Sequence, residues 1–150
     1  MIVNGSSSGL DFGWVWMLAV AVYATFVWRK DRKRANDLAK TLLALSFAPL
    51  QSERQVPCGW HERGAFKSGY EGVYNGCRAY VVESLMPDGD SGYGQTFVLV
   101  ERPDAIPWRP TPIVSSLGLE YTQEGRWLIG TVPRQTIGPD AVIGYLQCFT

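Results

Sequence analysis

Histidine is nearly absent from this 150-residue chain, with His61 the one example, and its three cysteines, Cys58, Cys77 and Cys148, show no CxxC spacing. Without that spacing no four-cysteine zinc site is suggested, and an odd cysteine count suggests no disulfide framework. Three unpaired thiols fit a reducing compartment. Excess charge is missing too: 14 basic and 14 acidic residues give a net charge of zero. Past residue 34 the count is nine basic against twelve acidic. A mildly acidic domain offers nucleic acid no electrostatic footprint. No Lys or Arg precedes Arg29, which argues against a cleaved secretory signal, whose basic residues come before its apolar run. Gly89, Gly92 and Gly94 are close together, but no Lys-Ser/Thr pair follows and the segment leads into a strand, so no phosphate loop is formed. There is no internal repeat.

What the chain does have is one long apolar run. Residues 12–28, FGWVWMLAVAVYATFVW, are seventeen in a row without charge, a helix of about 25 Å at about 1.5 Å per residue. That is within the range that crosses a bilayer. Phe12, Trp14 and Trp16 gather at one end, Tyr23, Phe26 and Trp28 at the other, with Leu18 and Val22 between, as rings seated at the headgroup level on both sides would be. The basic run Arg29, Lys30, Arg32, Lys33 and Arg34 follows directly. Positive charge stays on the cytoplasmic side, so the N-terminus is expected outside and the rest inside. The same five residues are also candidates for contact with anionic lipid. Gly13, Ala19 and Ala21 form no GxxxG pair, so helix-mediated dimerisation is not predicted.

The expected organisation is a short extracytoplasmic tail (1–11), a transmembrane helix (12–28), a basic juxtamembrane segment (29–34) and a cytoplasmic domain (35–150). In residues 31–45, Ala35, Leu38, Ala39, Leu42 and Leu45 follow the i, i+3, i+4, i+7 spacing of one helix face. With no Gly or Pro before Pro49 this helix can continue straight from the apolar run, or Asn36 or Asp37 can cap a separate start. Residues 69–74 and 77–85 flank Asn75-Gly76, a type I′ hairpin turn. Residues 86–94 read as a flexible connection and 95–102 as a strand. Residues 117–122 and 126–132 read as a second hairpin around residues 123–125. Gly138-Pro139-Asp140 opens a helix with Val142, Tyr145, Leu146 and Phe149 on its apolar face. The fold class is α+β: a mostly antiparallel sheet built from hairpins, an amphipathic helix before it and a C-terminal helix packed on one face.

Several of these pieces together, LAKTLLALSFAP at 38–49, GVYNGCRAYVVES at 72–84, GQTFVLVERP at 94–103, Pro107, and RWLIGTV followed by IGPDAVIGYL, resemble a bacterial family of uncharacterised proteins. That resemblance implies a short membrane anchor followed by a small cytoplasmic α+β domain, and no activity. The family commonly carries Gly where this chain has Ala44.

Candidate chemistry is sparse. Cys58 and His61, three positions apart, have the spacing of two metal ligands or of a thiol and its base. The sequence localises neither the further ligands nor an oxyanion hole, and a turn with Trp60 on the core accounts for the same residues. Asp88 and Asp90 flank Gly89 as in a calcium loop, but without its closing Glu or its helices. Glu71, Glu83, Glu101 and Glu120 lie in or beside strands and are expected to face water. Trp108, in a stretch with Pro107 and Pro110, is the candidate partner contact, set against burial over a sheet edge. The expected function is a membrane-tethered, non-enzymatic interaction domain at the bacterial inner membrane, bound to the lipid bilayer and to a protein partner or its own copy. No cofactor, metal, small-molecule ligand or nucleic acid is expected. The alternatives are a small enzyme or thiol-dependent factor using Cys58 and His61, and an anionic-lipid-sensing module.

Overall fold

The computed structural model describes residues 12–58, 64–103 and 120–150. They form two compact units, one up to Asn36 and the other from Asp37. A single helix, α1 (Phe12–Ala44), contributes to both. It runs on from the apolar segment without a break, as the lack of an interior Pro allows, and no separate start is made at Asn36 or Asp37. Its end is a Schellman turn: Ser46 takes φ 64°, and the Phe47 and Ser46 N–H groups donate to the Leu42 and Leu43 carbonyls at 2.9 and 3.0 Å. Phe47 and Leu42 belong to one core cluster, the hydrophobic contact that accompanies this cap.

Among the described residues six strands follow, β1 (Ala48–Pro49), β2 (Ala65–Tyr74), β3 (Cys77–Asp88), β4 (Ser91–Glu101), β5 (Glu120–Glu124) and β6 (Trp127–Thr131), then helix α2 (Pro139–Phe149). The sheet order is β1-β2-β3-β4-β6-β5, with every pair antiparallel. The expected α+β class is what the structure has. The β2–β3 turn is the Asn-Gly type I′ turn, with φ 47° at Asn75 and 79° at Gly76. The second hairpin turns at Gly125, φ 60°; of its expected first strand, residues 117–119 lie outside the described residues. Residues 86–94 correct the expectation of a flexible connection. The β3–β4 ladder continues through Met86↔Tyr93, Pro87↔Gly92 and Asp88↔Ser91 and turns tightly at Gly89, φ 56°. Pro87 is tolerated because β2 pairing stops at Leu85, so β3 has only one neighbour there.

Alternation along the central strands sends side chains to two buried faces. One carries Ala79, Val81, Val98, Val100 and Leu128, covered by Leu38 and Leu42 of α1 and by Val142, Tyr145, Leu146 and Phe149 of α2. The other carries Tyr80, Val82, Phe97, Leu99 and Ile129, with Leu50 and Val56. Two glycines set the closest approaches: a Cβ at Gly72 would lie 2.6 Å from the Phe47 ring, and one at Gly130 would lie 2.5 Å from Phe149. Since both faces are buried, a strand acid has no guaranteed water side. Glu83 accordingly is 4% exposed, which overturns the expectation that all four strand glutamates face water. Glu120 is exposed as expected, and Glu71 and Glu101 are half-buried.

Polar groups of β4 fix the chain that leads into α2. The Gln95 side chain donates to Thr131 Oγ1 at 2.7 Å and accepts from the Arg134 N–H at 3.2 Å. Thr96 donates its N–H to the Gln135 carbonyl at 3.1 Å and accepts the Ile137 N–H at Oγ1 at 3.0 Å. Each bond satisfies a group that burial would otherwise strand.

Candidate functional site

In the unit ending at Asn36, the apolar run presents its side chains outward. Phe12, Trp14, Trp16, Leu18, Val22, Phe26 and Trp28 are all exposed, from 79% at Phe12 to 57% at Leu18. The helix is long and apolar enough to cross a membrane, and none of its most apolar window is buried. Monomeric soluble proteins rarely leave so large an apolar surface to water. In the basic run that follows, Asp31 is held by Arg34, whose Nε and Nη2 lie 3.0 and 2.9 Å from Oδ1. The Arg32 guanidinium sits 5.0 Å from the centre of the Trp28 ring.

In the second unit, the β4–β6–β5 side of the face carrying Phe97 and Ile129 forms a cleft of about 500 Å³. It is lined by the apolar Met86, Phe97 and Ile129 and by the polar Gln95, Thr131, Thr122 and Glu120. At one end Arg134 lies 5.3 Å from the Tyr93 ring centre and 3.4 Å from Asp88. Arg134 holds this place from a left-handed backbone, φ 57°. A mixed lining that includes apolar side chains and the acidic Glu120 suits a cationic side chain with an aliphatic stem.

On the same face a second cluster surrounds Tyr80, which is 3% exposed. Its hydroxyl accepts from Arg78 Nη2 at 2.8 Å and bonds to Glu71. Arg78 also lies 3.7 Å from Glu101, and the Trp127 ring meets Tyr80 edge-on at 5.5 Å. Burial pushes the Tyr80 phenol above its ordinary value, with Arg78 opposing and Glu71 adding to the rise. Burial, then the Glu83 carboxylate, does the same to Tyr70. The Arg78 and Glu71 bonds satisfy the buried Tyr80 hydroxyl and tie neighbouring strands together. Ser84, fully buried on this face, has an Oγ that finds no hydrogen-bond partner among the described residues.

Cys58 is half-buried with φ 64° and packs against Val56 and its neighbours. His61 lies outside the described residues, so the Cys58–His61 pair is not brought together within them. Trp108 lies outside them as well. No disulfide links the cysteines, and among the described residues no group of three or more His, Cys, Asp or Glu is placed to hold a metal ion. The cleft and the Tyr80 cluster are the features that sequence reasoning missed. The trace of the cleft in the sequence is that Tyr93, Gln95, Phe97 and Ile129, Thr131 share one parity on strands that become neighbours. No protein-family model, curated protein or solved structure matches the chain.

Proposed function

We propose that the protein is a single-pass protein of the bacterial inner membrane, whose domain from Asp37 onward is a non-enzymatic interaction module on the cytoplasmic side. The observation that carries this reading is the exposure of the whole 12–28 run, with Trp14 at 64% and Trp28 at 58%, beside a domain that buries its own two apolar clusters. Lipid is the solvent that such a helix prefers. The five cations after Trp28 support an inward-facing C-terminus. Docking is assigned to the cleft at Glu120, where a basic side chain of a protein partner or of a second copy would find both its stem and its charge accommodated.

The chain is expected to stay with membranes through alkaline carbonate washing, and a C-terminal tag to be reachable only from the cytoplasm. A soluble full-length chain, or a tag reachable from the periplasm, would reject the anchor or its direction. In mild detergent a stoichiometric partner or dimer should be recovered, and Glu120→Lys should weaken it about tenfold, the equivalent of about 1.4 kcal/mol. A strictly monomeric species without any partner counts against the interaction reading.

A further inference from the structure

The basic run is not a ring of charge around the helix. At about 100° per residue, with Arg29 as the origin, Arg32, Lys33 and Lys30 fall at about −60°, 40° and 100°, an arc of roughly 160° in all. Asp31 falls at about 200°, turned away from Arg29 and Lys33. It is engaged by Arg34 at 2.9 Å. Directly below Arg29, on the same face, Ala21, Val22, Thr25, Phe26 and Arg29 outline a shallow depression of about 360 Å³. The short side chains of Ala21 and Thr25 make its floor. Thr25 returns its hydroxyl to the Ala21 carbonyl at 2.7 Å, so the depression presents no unsatisfied donor to hydrocarbon. Helical side chains lean toward the N-terminus, which brings Arg29 over its upper end, and Arg32 is steadied against Trp28 at 5.0 Å.

We infer that this face is a binding site for one anionic glycerophospholipid, with the phosphate held by Arg29, Arg32 and Lys33 and an acyl chain lying along Ala21 and Thr25. The inference rests on the membrane-anchor reading. Charge complementarity selects the occupant: the cationic arc stands at the end of an apolar channel, and an anionic lipid has those two parts in that order. A second copy of the helix would have to bring a like cationic arc against this one.

The test is native mass spectrometry of the full-length chain, released from vesicles of equal phosphatidylglycerol and phosphatidylcholine. The expected result is selective retention of one phosphatidylglycerol, reduced about fivefold by each of Arg29→Gln, Arg32→Gln and Lys33→Gln. Thr25→Phe, which fills the depression and removes no charge, should reduce it as well. Arg34→Gln should leave it unchanged, whereas a diffuse attraction to net charge would make all four Arg and Lys variants equal. Equal retention of the two lipids, an Arg34→Gln loss matching the others, displacement by inorganic phosphate, or a lipid-free dimer would overturn the site. Release of the chain by carbonate would instead overturn the anchor, a distinct result because lipid preference is read only on chain already inserted.

Discussion

Tyr145 shows what burial does to a single titratable group. Its side chain is 5% exposed and stacks on Phe149 with ring centres 6.2 Å apart. Desolvation, and then Cys148, push its phenol from 10.0 up to about 12. An unfolded chain releases that proton near pH 10, while the folded chain keeps it until about pH 12. The stabilisation is therefore complete below pH 10 and is lost as pH rises through that window. Tyr70 and Tyr80 shift in the same direction and steepen the decline. In Tyr145→Phe the melting temperature should fall less steeply between pH 10 and 12 than in the parent chain. Melting curves at stepped pH, read with phenolate absorbance, check this.

At the scale of elements, the docking of α2 onto β6 depends on an absent side chain. Phe149 is 2% exposed and already packed, so a Cβ at Gly130, 2.5 Å from its ring, cannot be absorbed by a free movement of the ring. Gly130→Ala is expected to cost about 1–3 kcal/mol, measured by denaturant unfolding, and adding Phe149→Leu should return part of it. The helix itself was readable in advance. Pro139 at its start and the 3.6-residue spacing of Val142, Tyr145, Leu146 and Phe149 set both its position and its face, and all four are buried. The Asn75-Gly76 hairpin was equally legible, because few residue pairs take two positive φ angles. Glu83 and the β3–β4 turn were not. A strand buried on both faces loses the polar alternation that reveals its water side, and the run Met-Pro-Asp-Gly has the composition of a loop even where the ladder continues. The cleft was unreadable for another reason: its walls come from β4, β5 and β6, and which strands become neighbours is a property of topology that local pattern does not carry.

For the whole molecule, the decisive boundary falls inside α1. Leu38 and Leu42 are 2% and 0% exposed and belong to the same cluster as the α2 residues. A fragment of residues 35–150 keeps both and is expected to unfold cooperatively in water. A fragment of residues 46–150 loses both. Deleting each buried leucine costs about 2–5 kcal/mol against a total of about 5–15 kcal/mol, so the shorter fragment should lack a cooperative melt. Circular dichroism on the two fragments separates these outcomes. Because one unbroken helix carries both the apolar run and the two core leucines, detachment and denaturation are different events for this chain. The five basic residues of the 29–34 run all lie upstream of Leu38, so a trypsin-like protease cutting within that run would shed a domain that still holds Leu38 and Leu42.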